Sequence, residues 1–314
     1  MNPLPADIVR DLRRGHYNAT LTAIFEPHGD LRILRVVPDV GVPPFRPGQF
    51  LSLGLGNWEP RVAGVDEEHV DELHLRRLAR RAYSISCSIV DERGQVARAD
   101  TFPYLEFYVA LVRHADKHPP ALTPRLFALK AGDRLFVDPH ISGHYTLDGV
   151  GVEHDVFFFA TGTGEAPHNA MIAELLAGGQ RGRIVSAVSV RYRRDAAYRA
   201  VHEQLAQRYS NYHYLVVTTR EPENLDATRP DYVGKRYLQA LVASGELERQ
   251  TGANLDPARA HVFLCGSPDM IGLTRGAAHE PQFVPGSMLA LLSERGFNPD
   301  APHTAGNVHF ERYW

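Results

Sequence analysis

Short apolar runs, separated by glycine and proline, fill the first half of the chain at 17–25, 31–37, 49–55, 82–89, 105–112 and 134–137. Their β-branched and aromatic content and the turn residues between them predict six short strands of a small antiparallel barrel or sandwich, with one brief helix at 124–129. Past residue 148 the rhythm changes. The run DVFFFA at 155–160 shows no polar alternation, as expected of a central parallel strand covered on both faces. Met171, Ile172, Leu175 and Leu176 then share one helical face, Pro167 suits a first turn, and Gly178-Gly179 supplies the stop. The alternation recurs as strand 183–190, helix 196–209, strand 214–218, helix 236–244, strand 261–265 and helices near Met270 and Met288. Repeated βα units predict a doubly wound parallel sheet. The expected division is a mostly β domain over 1–150 and an α/β domain over 151–314.

With 314 residues, 44% of them hydrophobic and 23% charged, the chain can build two cores and is neither disordered nor fibrous. Its 34 Lys and Arg against 37 Asp and Glu give a formal charge of −3, which leaves no global field for nucleic acid or an acidic membrane. No stretch approaches the roughly 18 apolar residues of a membrane span, and the N-terminus lacks an apolar secretion core, so a cytoplasmic protein without membrane insertion is expected. Cys87 and Cys265 stand alone, so the chain cannot ligate a zinc ion or an iron–sulfur cluster through cysteines. His114 and His118, like His140 and His144, have the spacing of metal ligands on a helix. Nearby prolines argue against a helix and no partner ligand stands at the expected spacing, so no metal is expected. The polar segment 57–80 ends in Arg76, Arg77 and Arg80 and reads as a solvated surface helix.

The sharpest local signal is ATGTGEAP at 160–167, between a buried strand and a helix. Glycines there let backbone N–H groups and the helix N-terminus approach a pyrophosphate, whose charge the helix dipole favours. Pro167 replaces the third glycine of the usual dinucleotide fingerprint. The next βα junction offers Arg191, Arg193 and Arg194 where an acidic residue would select NAD, and Arg220, Lys235 and Arg236 follow at later strand ends. Guanidinium forks match a phosphate, so NADP is the expected coenzyme, with Arg191 and Arg220 as its selectors and Arg193 and Arg194 closer to ordinary surface charge. In the first half, RAYS at 81–84 opens a strand on which Arg81 and Tyr83 share a face. Arg81 can neutralise a pyrophosphate while the Tyr83 ring lies against a flat cofactor.

RAYS at 81, LTPRL at 122, GTGEAP at 162, CGSPDM at 265 and FERYW at 310 occur in the order seen in bacterial ferredoxin–NADP reductases, and the chain resembles that family from about residue 17 to its end. The resemblance implies an N-terminal antiparallel Greek-key β-barrel holding FAD, followed by the α/β domain holding NADP, with the two cofactors meeting at the interface. By motif, Arg81, Tyr83 and Ser84 would hold the flavin, with Ser84 near its reactive nitrogen. Phe107, Tyr108 and Val109 would line its length, and Thr123 would serve its pyrophosphate. Thr163 and Gly164 would approach the NADP pyrophosphate, Cys265 and Gly266 the nicotinamide, and Glu311 would offer a proton or a nicotinamide contact, so Ser84, Cys265 and Glu311 are the catalytic candidates. Tyr313 and Trp314 look like the aromatic tail that covers flavin and adenine in this family, the division between them being open. His168 stands where the family often has an aromatic residue, and 57–80 is an insert.

The implied activity is electron transfer between NADPH and a one-electron carrier, ferredoxin or flavodoxin, by way of FAD. Arg46, Arg76, Arg77, Arg80 and Arg113 are candidate docking charges for such an acidic partner. Two alternatives share the fold: the reductase component of an oxygenase, and a non-catalytic nucleotide-binding protein.

Overall fold

The structure is a computed structural model, and residues 4–275, 281–301 and 304–313 are described. The chain forms two compact units, one comprising the residues up to Ser88 together with Arg98–Thr146, the other Ile89–Ala97 with the chain from Leu147 onward. The 89–97 excursion is tied into the second unit where the Arg208 guanidinium donates to the Gly94 carbonyl at 3.1 Å. It begins at Ile89, a buried β-branched residue held at φ 64°.

The first unit opens with helix α1 (Ala6–His16) and continues with strands β1 (Ala19–His28), β2 (Leu31–Pro38) and β3 (Phe50–Gly56), helix α2 (Glu72–Leu75), strands β4 (Leu78–Ser84) and β5 (Leu105–Ala110), helix α3 (Thr123–Leu126) and strand β6 (Arg134–Val137). The sheet is six-stranded, in the order β4-β3-β6-β1-β2-β5. Insertion of the last strand between β3 and β1 is the Greek-key crossing. Just beyond β4, Ser86 N donates to Glu106 O of the opposite edge strand β5 at 2.8 Å, and this bridge links the two edges of the sheet. Inward-facing Leu21, Leu34, Leu53, Phe107 and Leu135 fill the interior.

Three features of this unit depart from the sequence expectation. The fourth strand is Leu78–Ser84, not 82–89, so the end of the insert is already sheet. Helix α1 goes unannounced because none of its residues is buried. It is fixed instead by Arg13, which donates to Glu59 Oε1 at 2.8 Å, an oxygen that also accepts from the Tyr17 hydroxyl at 2.8 Å. The insert is not a solvated helix: only Glu72–Leu75 is helical, and the buried Arg125 of the LTPRL motif donates to Glu68 at 2.7 Å and to the Asn57 carbonyl at 2.9 Å. Arg125 is therefore a staple for the insert.

In the second unit β7 (Asp155–Thr161), α4 (Glu165–Ala177), β8 (Ile184–Val190), α5 (Arg199–Arg208) and β9 (Tyr212–Thr218) alternate. Helices α6 (Pro222–Leu225), α7 (Leu238–Ala243) and α8 (Glu246–Thr251) precede β10 (Ala260–Gly266) and α9 (Pro268–Ile271). The hairpin strands β11 (Leu273–Arg275) and β12 (Pro281–Phe283), helix α10 (Met288–Glu294) and strand β13 (Val308–Arg312) complete it. The parallel sheet runs β13-β10-β7-β8-β9. Phe157, Phe159 and Leu264 face α7 and α10 in one core, while Phe158 on the other face meets His168 of α4 at 5.0 Å between ring centroids. Helices thus cover both faces, as doubly wound folds require. The aromatic tail read at 310–314 is largely strand: β13 pairs with β10 in register, Cys265 opposite Glu311. No helix among the described residues is long and apolar enough to cross a membrane.

Candidate active site

Parallel strands deliver their C-terminal ends to one edge of a sheet, and the turns that follow them form the natural seat for a ligand. In the second unit that edge gathers three segments. After β7, a 3-10 turn at Gly162–Gly164 leads directly into α4. At the end of β10, Cys265 and Gly266 lead into a turn whose Ser267 N–H donates to Thr161 Oγ1 at 2.7 Å. Beside it, Tyr313 N donates to Gly266 O at 3.0 Å, which holds Glu311 and Tyr313 at the same end.

The glycines here do different jobs. Gly162 has φ +52°, and a Cβ added to it would meet nothing within 4 Å, so its left-handed turn leaves open space for a ligand. Gly164 has ordinary helical dihedrals, but a Cβ there would meet the Cys265 carbonyl oxygen at 2.3 Å. Its bare Cα is required for packing against the end of β10. At Gly266, φ +121°, a Cβ would meet Thr161 Oγ1 at 2.2 Å. Thr163 is buried, so what this residue can offer a pyrophosphate is chiefly backbone. Burial and the nearby Glu311 charge push the Cys265 thiol up, with a hydrogen bond from the Tyr313 side chain opposing, so the sulfur is a neutral thiol and not a nucleophile.

At the adjoining strand ends, Arg220 N donates to Arg191 O at 2.8 Å, so the turns after β8 and β9 are joined. The Arg191 guanidinium is oriented by the buried Asp195 carboxylate at 3.1 Å, and the exposed Arg220 side chain has no acidic partner among the described residues. Arg193 lies 3.5 Å from Glu223, Arg194 lies over the Tyr192 ring, and Arg236 is paired with Glu246. These last arginines have local partners, as Arg191 has in Asp195, whereas exposed Arg220 is paired with no acidic side chain among the described residues.

In the first unit, exposed Arg81 has no acidic partner among the described residues and donates only to its neighbour's carbonyl, Arg80 O, at 2.8 Å. Tyr83 is half-buried, burial raises its phenol pKa, and Ser84 ends the strand buried. Phe107 and Val109 point into the barrel core, so any cofactor they line would meet their backbone and not their side chains. Tyr108 is buried as well. Thr123 Oγ1 accepts from Val112 N at 3.2 Å and keeps its proton for another acceptor. Of the docking candidates, Arg80 lies over the Phe136 ring at 4.0 Å and Arg113 pairs with Asp30 at 2.7 Å, whereas Arg76 and Arg77 are exposed without acidic partners among the described residues. Trp314 lies outside the described residues. No group of three or more His, Cys, Asp or Glu side chains among the described residues is arranged to hold a metal; His114 is paired with Asp66 at 2.7 Å.

A buried polar cluster behind the Gly162–Gly164 turn escaped the sequence reading. The Glu165 carboxyl accepts from the Tyr214 hydroxyl at 2.7 Å, and His202 is hydrogen-bonded to the Tyr212 hydroxyl at 2.6 Å and to Asn169 Oδ1 at 3.0 Å. His168, which stands where the family often has an aromatic residue, is a core residue against Phe158. Burial pushes Glu165 up to about 7 and holds His168 and His202 each down to about 3.

A family model described as Oxidoreductase NAD-binding domain matches residues 158–276. The flavodoxin/ferredoxin–NADP reductase of Escherichia coli is 31% identical over 232 residues, 73% of this chain and 76% of that protein. The chain belongs to the flavodoxin/ferredoxin–NADP reductase family. A second member of the family, from Buchnera aphidicola, is 23% identical over 90% of this chain and 93% of its own length. A ferredoxin NADP+ reductase from Neisseria gonorrhoeae, solved with bound FAD and NADP, shares the fold with a TM-score of 0.66 at 16% identity, covering 94% of this chain and 97% of that one. An Amycolatopsis cytochrome P450 reductase shares it at 0.61 and 20% identity, over 94% of this chain and 69% of that one. Membership of the reductase family therefore rests on the sequence relatives, since the fold is common to several kinds of reductase.

Proposed function

We propose that this chain transfers electrons between NADPH and a one-electron carrier protein, ferredoxin or flavodoxin, through bound FAD. The first unit holds FAD and the second NADP, with the boundary near residue 150. The observation that carries the reading is the gathering of the Gly162–Gly164 turn, Cys265-Gly266 and Glu311–Tyr313 at one sheet edge, with Arg220 uncommitted to any acidic partner among the described residues and oriented Arg191 at the next strand ends, in a member of this family.

The residues suit both cofactors. Arg81 is an uncommitted cation beside the half-buried Tyr83 ring, fit for a pyrophosphate and a flat ring system, and the Thr123 hydroxyl retains a proton to donate. FAD, when bound, supplies the capacity to take two electrons as hydride and release them singly. Open space at Gly162 admits a pyrophosphate to the turn, and Arg191 and Arg220 recognise the phosphate that distinguishes NADP from NAD. Cys265, a neutral thiol opposite Glu311 in register, gives the nicotinamide a compact, uncharged neighbour, and Glu311 places a carboxylate at that edge for a proton or an amide contact. By the family's motif Ser84 would be the hydroxyl next to the flavin, and Tyr313 with Trp314 would cover flavin and adenine. Arg76 and Arg77, exposed on the insert, present charge to an acidic carrier. Cys87 and Cys265, buried thiols outside any disulfide, suit a reducing compartment, and the cytoplasm is the proposed site of action.

The test is anaerobic. The purified protein should be yellow, bleach faster with NADPH than with NADH, and pass electrons to ferredoxin or flavodoxin. A colourless protein that FAD does not reconstitute refutes the reading. Bleaching with transfer confined to an oxygenase component replaces the carrier with the partner of an oxygenase reductase.

A further inference from the structure

Glu165 is the first residue of α4, placed directly after the turn, and it is 1% exposed. A carboxylate at a helix N-terminus is ordinarily stabilised by the dipole and by water. Here water is excluded and the dipole is opposed by burial. One oxygen accepts from Tyr214, and the other is buried without a hydrogen-bond partner among the described residues.

The surrounding groups offer no compensating charge. From α5, His202 Nε2 lies 3.7 Å from the carboxyl, but that nitrogen is hydrogen-bonded to Asn169 and Nδ1 to Tyr212, an arrangement a neutral imidazole satisfies. From α4 itself comes His168, also neutral, and from β9 come Tyr214, the donor to the carboxyl, and Tyr212, whose phenol burial keeps protonated. No lysine or arginine among the described residues is paired with Glu165. The carboxyl therefore sits close to balance between its charged and neutral forms near neutral pH.

A coenzyme pyrophosphate brings two negative charges to the adjacent turn. Successive Cα atoms lie about 3.8 Å apart, so the distance from Gly162–Gly164 to Glu165 is on the order of 10 Å or less, short enough for like charges to interact through protein. We propose that Glu165 is a positioning residue that couples coenzyme binding to proton uptake: the pyrophosphate seated on the Gly162–Gly164 turn selects the protonated carboxyl, which keeps its hydrogen bond to Tyr214 and adds no charge behind the ligand. Linkage is reciprocal, so raising the pH weakens coenzyme binding by as much as coenzyme raises the proton affinity of Glu165. This inference rests on the turn being the pyrophosphate seat.

Calorimetric titration of the FAD-loaded protein with NADP+ in two buffers of different ionisation enthalpy measures the protons taken up. The 2′-phosphate titrates near pH 6 and contributes its own protons, so the measured quantity is the difference between the parent and Glu165→Gln, which keeps an oxygen for Tyr214 but does not titrate. The parent should take up a fraction of a proton more than the variant near pH 7, and its affinity should fall about tenfold more between pH 6.5 and 9. Tyr214→Phe, which removes the hydrogen bond favouring the ionised form, should move the pH midpoint upward and gives an independent test should the glutamine variant not fold. Adenosine 2′-monophosphate, which lacks a pyrophosphate, should show no Glu165-dependent uptake. Equal proton uptake and equal pH dependence in parent and variant, both binding NADP+, would overturn the coupling while leaving the seat intact. Failure of the parent to bind NADP+ would overturn the seat and the coupling together.

Discussion

Gly164 and Gly162 stand two residues apart in one turn and should respond to alanine in opposite ways. At Gly164 the backbone is helical, with φ −60° and ψ −12°, so alanine meets no conformational objection. The difficulty is spatial: the new methyl group would sit 2.3 Å from the Cys265 carbonyl oxygen and 2.6 Å from its carbon. Both atoms belong to the interior strand β10, paired on both sides by β13 and β7. Either strand or helix must retreat by about 1 Å to restore normal contact, and overpacking of this kind costs up to about 3 kcal/mol. For a unit of this size each kcal/mol lowers the melting temperature by roughly 2–4 °C, so Gly164→Ala should melt below the parent by up to about 6–12 °C. At Gly162 the space is open and the objection is only the left-handed backbone, about 1 kcal/mol or roughly 2–4 °C. Its methyl group would instead occupy the ligand's approach, so NADP+ affinity should fall by more than tenfold. Thermal unfolding by circular dichroism and NADP+ titration of both variants test the pair. A Gly164→Ala melting point within about 2 °C of the parent refutes the packing argument.

Replacing Arg191 and Arg220 together by alanine should raise the KM for NADPH at least tenfold and leave that for NADH nearly unchanged; equal losses in steady-state assays would remove these residues as selectors. Arg125→Met leaves the half-buried Glu68 without its buried partner, so a loss of about 3 kcal/mol is expected in urea unfolding, with earlier protease cleavage within 57–77, and an unchanged cleavage pattern would contradict the stapling role. His168 and His202 are held near 3 in the folded protein against an ordinary 6.5, so the unfolded chain binds protons first as pH falls below 6.5. Stability should therefore drop by about 1.4 kcal/mol per residue at pH 5.5, while Glu165, shifted upward, changes stability in the opposite sense. Substituting His202→Gln should flatten the acid limb of a melting-temperature profile, and an unaltered slope would count against the burial argument.

The strands and the βα alternation were legible because burial on one or both faces writes a period into the residues themselves. Helix α1 was not, since it buries nothing and is held by Arg13 and Tyr17 reaching Glu59, more than 40 positions away. Strand β13 looked like a tail because its identity as a strand depends on β10, its partner across the sheet. The same distance concealed the cluster around Glu165: its partner Tyr214 lies 49 residues on, and only the oddity of a charged residue inside a buried helix hinted at it. The glycine-rich turn was visible as a motif, but the division of labour between Gly162 and Gly164 came from the β10 backbone, which local spacing does not reveal.

Ile89 marks the first of three passages of the chain from one unit to the other, the second following Ala97 and the third Thr146. A scissile bond near residue 147 would consequently yield an N-terminal fragment that still carries the nine-residue strap 89–97, stripped of the Arg208 contact that anchors it. Exchange of the flavin half between relatives by a single splice point would leave that strap facing a foreign helix α5, so functional chimeras should need the strap exchanged together with the coenzyme half.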